Sequence, residues 1–107
     1  MNKINLQGYR ASGSKIYSGR DIGKKARKEL DLNIKDSDQQ QYKVVVPSDT
    51  YSINGSFFGG LFSDSVIKLG ESEFRGKYEF VYEDGKHLNE ILSGDIKDGI
   101  YDAINGL

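Results

Sequence analysis

Ile53-Asn54-Gly55-Ser56-Phe57-Phe58-Gly59-Gly60-Leu61-Phe62 joins the most strand-like part of this 107-residue chain to its most apolar helix-like part. Upstream, Tyr42-Lys43-Val44-Val45-Val46 predicts a strand, because consecutive β-branched residues favour the pleat and Pro47 cannot continue a ladder of hydrogen bonds. Downstream, apolar residues at 57, 58, 61, 62, 66, 67 and 69 follow the spacing of one helical face and predict a helix ended by Gly70 as a left-handed cap. Asn54 or Ser56 stands where an N-cap belongs. Phe57 and Phe58 are neighbours, so with Phe62 nearby not every ring can point inward; one is expected outside as a partner-binding anchor.

The rest of the chain reads outward from that junction. Lys3 to Tyr9 alternates polar and apolar residues and predicts a first strand; Arg10 to Lys15 is a small-residue turn without the Gly-Lys-Ser/Thr ending of a phosphate cradle. Ser18 and Asp21 form a variant capping box before a helix that runs to Leu30. Ile22, Ala26 and Leu30 define its apolar face, which leaves Arg20, Lys24, Lys25, Arg27 and Lys28 as a basic, solvated face. Residues 31–41 read as a polar connector with no element of their own. Lys77 to Glu83 predicts another strand closed by Asp84-Gly85. The tail reads as two helical pieces: Leu88, Ile91 and Leu92, then a break at Gly94, then a piece capped by Asp95 and Asp98.

Alternating strands and helices predict one α/β domain over residues 1–107, a small single-layer sheet of three to five strands, mixed or mainly parallel, flanked by helices. Three strands make a thin sheet. Either a further strand lies within 10–17 or 31–41, or a partner covers the edge, a second copy in a homodimer included.

Composition narrows the chemistry. There is no cysteine, so disulfides and thiolate chemistry are excluded; no apolar run approaches the roughly 20 residues of a membrane span, and no signal-peptide core follows Met1. A cytoplasmic protein with no membrane association is the expectation. Residues 1–30 hold eight Lys/Arg against Asp21 and Glu29, while residues 31–107 hold seven against fourteen acidic residues, so the molecule is electrically bipolar. No aromatic residue interleaves the basic run at 20–28, which argues against nucleic acid as a partner. His87 is the sole histidine, and Asp36 and Asp38 lack the rest of a calcium loop. No catalytic residue, metal site or cofactor is expected, and the chain reads as a non-enzyme.

The runs Ser18 to Lys25, Val44-Val45-Val46, Ser52 to Phe62, Leu69-Gly70 and Phe74-Arg75-Gly76-Lys77 together resemble the STAS-like family of unknown function, and more distantly the STAS domains of anti-sigma factor antagonists. The resemblance spans about residues 3–83 and is most specific over 52–62. It implies a bacterial or phage-encoded regulatory α/β domain that binds a protein partner, a kinase-like ATPase or another regulatory protein, through the start of its central helix. Ser56 falls on the position that antagonists phosphorylate. The sequence departs from the antagonists where Val46 replaces an Asp and where Asn54-Gly55-Ser56-Phe57 replaces Asp-Ser-Ser-Gly or Asp-Ser-Thr-Gly.

The expected function is therefore a non-enzymatic regulatory interaction module that binds protein through Asn54, Gly55, Ser56, Phe57, Phe58 and Phe62, gated by phosphorylation of Ser56. One alternative is a small-ligand or nucleotide binder that uses the Gly55–Gly60 backbone at a helix start. Another is a small phage or mobile-element inhibitor of a host protein.

Overall fold

The computed structural model describes residues 2–107. In chain order the elements are β1 (Asn2–Asn5), a 3-10 turn (Gln7–Tyr9), β2 (Ile16–Tyr17), α1 (Arg20–Glu29), α2 (Leu32–Lys35), β3 (Tyr42–Val46), β4 (Ser52–Ile53), α3 (Gly55–Leu69), α4 (Glu71–Lys77), β5 (Tyr78–Tyr82) and α5 (Glu90–Ile104). The fold is α/β, as the alternation predicts. β1, β3 and β5 form a parallel sheet with β3 in the centre, and β2 and β4 form a separate parallel pair. The strand sought within 10–17 thus exists, but in a second sheet.

The register of the main sheet sorts its two faces. Ile4, Val44 and Phe80 are aligned; Ile4 and Val44, with Val46 and Tyr78, belong to the core beneath the helices, and the half-buried Phe80 packs against it. On the other face Lys3, Lys43 and Glu79 are aligned, and the Lys43 ammonium lies 2.6 Å from the Glu79 carboxylate. Side chains of a strand alternate between faces, so this polar row marks the sheet side turned from the helices.

α3 is the centre of the helical layer and packs on both α1 and α5. Its rings fill the core: Phe62 meets Phe74, Tyr78 and Phe80 with centroids 5.1–5.5 Å apart, within the range of favourable aromatic pairs. Contact with α1 is backbone on backbone. A Cβ built on Gly23 would lie 2.3 Å from the Phe57 carbonyl oxygen, and one built on Gly60 would lie 2.2 Å from the Arg20 carbonyl oxygen. Arg20 meets Gly60, Gly23 meets Phe57 and Leu61, and Arg27 meets Leu61 and Ser65, so α1 and α3 run parallel with their starts together. On the opposite flank, the Phe58 ring occupies a notch left by Gly99 of α5, where a Cβ would fall 2.3 Å from the ring.

Several local expectations are corrected. Residues 31–41 contain α2, entered through Asp31 in the left-handed conformation (φ 54°), and Leu32 and Asp36 are buried there. α5 runs unbroken through Gly94, and Asn89, not Asp95, caps it by accepting the Leu92 N–H at 2.9 Å. Neither Ser18 nor Asp21 makes a capping box, since Gly19 occupies the N-cap of α1 and no side chain bonds there. Ile22 is 41% exposed, because the buried face of α1 is set by Gly23, Ala26 and Arg27. β1 stops at Asn5, where the chain turns into the 3-10 segment. Gly70 has a positive φ of 80° with an extended ψ of 161°, so it redirects the chain from α3 into α4 rather than closing a left-handed cap.

The glycines make a prediction with two signs. Gly60→Ala must push α1 from α3 and is expected to cost about 1–3 kcal/mol in chemical denaturation, as overpacking does. Gly94→Ala meets no atom within 4 Å in the interior of α5 and is expected to stabilise by about 0.4–1 kcal/mol. Equal effects would contradict the packing.

Candidate functional site

The ends of β2 and β4 deliver the chain to the starts of α1 and α3, and this junction holds the expected site. Strand pairing continues past the strands: the Asn54 N–H donates to the Tyr17 carbonyl at 2.8 Å, and the Tyr51 N–H to the Lys15 carbonyl at 2.7 Å. Beneath the junction Tyr17 is fully buried, its ring 4.9 Å from Phe57 and its hydroxyl donating to the Leu6 carbonyl at 2.7 Å. Burial pushes the Tyr17 phenol well above its ordinary pKa, so it stays a neutral donor.

The expected site residues separate into two sets. Asn54 and Gly55 are exposed and Ser56 is half-buried, but Phe57, Phe58 and Phe62 are all in the core, at 0%, 1% and 0% exposure. The expected aromatic anchor is corrected: Phe57 packs inward beneath β2, Phe58 points into the Gly99 notch, and Phe62 meets the sheet. The glycines on either side make this possible by removing side chains where rings and helices would collide.

Asn54 takes the N-cap position of α3 by its backbone, yet its side chain makes no cap bond. Ser56 does something other than cap its own helix. Its hydroxyl oxygen accepts the Gly19 N–H at 3.2 Å, tying the start of α3 to the start of α1. A Cβ on Gly55 would lie 3.8 Å from the Asp102 carboxylate, which places a negative charge beside the positive end of the α3 dipole. Asp95, expected on a solvated or capping face, reaches β4 and accepts the Ile53 N–H at 2.8 Å. Gly59 leaves room for the Arg20 guanidinium, which a Cβ would meet at 2.8 Å; Gly59 and Gly60 therefore serve contacts within the chain.

Of the basic face, Arg20, Lys24, Lys25 and Lys28 are exposed, and Arg27 is not. Arg27 is 9% exposed and donates to the Leu61 carbonyl at 3.0 Å, Ser65 Oγ at 2.8 Å, Asn33 Oδ1 at 2.8 Å and Asp36 Oδ2 at 2.7 Å. Asp36 Oδ1 accepts from Ser65 and from the Tyr78 hydroxyl, each at 2.7 Å. Burial, and then the Asp36 hydrogen bond, drive the Tyr78 phenol far above its usual range. The planar guanidinium fork thus fastens α2 to α1 and α3. Asp38 is engaged separately by Lys77 and Tyr42, which hold its carboxyl down at about 2. Among the described residues no group of three or more His, Asp or Glu side chains stands ready for a metal ion.

What the sequence reading missed is a groove of about 480 Å³ beside this junction. Tyr9, Ile16 and Ile22 supply its apolar wall; Arg10, Lys25 and Asn54 supply polar lining. Arg10 is neutralised by Asp49 at 2.8 Å, and Tyr9 donates its hydroxyl to Glu29 at 2.9 Å, whereas Lys25 has no ion-pair partner among the described residues. Ile22 carried a signal that was misassigned, since its spacing to Ala26 suggested core. Ile16 carried none. Comparison with protein-family models, with curated proteins and with solved structures returns no match for this chain.

The buried cluster makes its own prediction. Arg27→Met strands the Asp36 carboxylate and is expected to destabilise by about 3–5 kcal/mol in urea titration, the usual result of breaking a buried pair from one side. A loss under about 0.5 kcal/mol, typical of surface sites, would return Arg27 to the solvent.

Proposed function

We propose that this chain is a non-enzymatic regulatory module that docks a protein partner at the junction of α1 and α3, with the groove between Ile16 and Ile22 as the contact surface. The observation that supports it most is the pair of isoleucines, each 41% exposed, that line one concavity beside the carboxyl ends of parallel strands. α/β folds place their binding sites at that end of the sheet. Exposed aliphatic side chains in a concave, polar-rimmed setting are what interface centres use.

The reading keeps the interaction role that the STAS-like resemblance implies and moves its contacts. Phe57, Phe58 and Phe62 are buried and do not touch the partner. Ser56 remains the proposed gate for a physical reason. Its hydroxyl holds the two helix starts together, and a phosphate there would bring about −2 charges into the joint between α1 and α3. The Gly19 N–H and the adjacent helix ends would accept that charge, so the gate would act on the partner while the fold persists.

Affinity capture from lysate tests this with wild type, Ile22→Asp and Ser56→Asp in parallel. A protein retained by wild type, lost with Ile22→Asp and weakened with Ser56→Asp is the expected result. A partner retained equally by all three would contradict the site. A rise in melting temperature with a nucleotide panel, and no captured protein, would transfer the role to small-ligand binding.

A further inference from the structure

We infer that the partner adds a strand to the outer edge of β1, with a carboxylate opposite Lys3, an inference that rests on the docking reading above. It comes from which backbone groups of the sheets are left without partners. The Leu6 N–H donates to the Val45 carbonyl at 3.1 Å, so Leu6, and by alternation Ile4, turn their backbone groups toward β3. Lys3 and Asn5 therefore turn theirs outward. Among the described residues nothing bonds to the N–H or the carbonyl of either one.

The other strands are each stopped by a contact within the chain. The Tyr82 N–H of β5 donates to the Lys86 carbonyl at 2.9 Å, and Val81 forms an antiparallel bridge with His87. In β2 the Ser14 hydroxyl accepts the Ile16 N–H at 3.1 Å and donates to the Ile16 carbonyl at 3.2 Å. In β4 the Ile53 N–H donates to Asp95 at 2.8 Å. Open edges invite pairing, and β1 is guarded only by its shortness and by Lys3. A lysine disfavours a strand that is basic or apolar opposite it, and it admits one that carries a carboxylate.

The register states what else the strand carries. Lys3 is exposed, has no carboxylate within 4.0 Å among the described residues, and heads the row Lys3, Lys43, Glu79, in which Lys43 already holds Glu79. An acidic residue opposite Lys3 supplies the missing countercharge, and an aliphatic one opposite Ile4 extends the apolar row Ile4, Val44, Phe80. The occupant is thus an extended partner segment of alternating acidic and aliphatic residues, bound by strand addition. A second copy fits less well. Its own acidic and apolar strand, β5, is stopped at Tyr82, and β1 against β1 brings no carboxylate to Lys3. The edge and the groove share one end of the molecule: the chain leaves β1 through the 3-10 turn, whose Gly8 and Tyr9 line the groove, and Tyr9 reaches Glu29 of α1.

The probe is a synthetic heptapeptide Thr-Glu-Val-Glu-Val-Glu-Thr, titrated into the isotopically labelled full chain and followed by amide chemical shifts. Saturable shifts are expected to be largest at Lys3 and Asn5, with affinity about fivefold lower in Lys3→Glu. Lys3→Pro, which removes an N–H that the fold leaves unused, is expected to abolish binding at an unchanged melting temperature. Should that variant unfold, methylated peptides still decide. Alternate residues of an added strand face β1, so N-methylation of the central glutamate or of the valine after it abolishes binding in one case and spares it in the other. Equal effects of the two methylations, shifts absent from Lys3 and Asn5, or equal binding of Thr-Lys-Val-Lys-Val-Lys-Thr would overturn the inference. So would a concentration-dependent dimer paired through β1. Applied to the captured partner, binding that survives Lys3→Pro and Lys3→Glu but not Ile22→Asp refutes strand addition and leaves the groove; binding lost only with the Lys3 variants refutes the groove and leaves the edge.

Discussion

The close approach of α1 and α3 through Gly23 and Gly60 is the constraint on which the rest of this structure depends. Each glycine sits where a Cβ would overlap the other helix's backbone, so the helices meet without intervening side chains. That proximity fixes their parallel register. It brings Gly19 within a hydrogen bond of Ser56 and sets Arg27 against Leu61 and Ser65. Parallel helices also align their dipoles unfavourably, positive end beside positive end. Asp21 in the first turn of α1 and Asp102 beside the start of α3 supply the negative charge that offsets it.

From this contact the two halves of the molecule take different characters. The α3 rings and the Gly99 notch make an apolar core that extends from the sheet to α5. On the α1 side, the same helix layer is closed by a polar cluster around Arg27 and Asp36, in which no buried side-chain polar atom of the described residues lacks a partner. Such a cluster adds little net stability over an apolar packing, because two charges must be desolvated. Its geometry is selective, however: the guanidinium fork accepts one arrangement of α1, α2 and α3. We attribute to it the placement of α2, which has only Leu32 buried among its four residues.

These details explain what was legible in the sequence. β3, β5 and α3 were, because Val44-Val45-Val46, Tyr78 to Tyr82 and the apolar spacing from Phe57 each carry their own local signal. The order of elements followed, and with it the α/β class. Gly94 misled by suggesting a helix break, although α5 is long enough to absorb its cost; Gly59 and Gly60 were compatible with ligand access and, somewhat better, with close packing, and each admits another part of the chain. The inward Arg27 was invisible because its partners Asp36 and Ser65 are distant in sequence. The same holds for the groove, whose walls come from the 3-10 turn, β2 and α1; the junction was legible as a place, and its contacting residues were not.

An intrachain packing device thus leads to a surface: glycines bring two helices together, and their shared start, with the β2 and β4 ends, shapes a partly apolar, polar-rimmed groove. Hydrogen–deuterium exchange of the chain alone and with its captured partner tests this link most directly. The partner is expected to slow exchange over residues 8–25 and at 54–56, while α5 and β5 exchange as before. Protection confined to α5, or to the outer edge of β5, would contradict it.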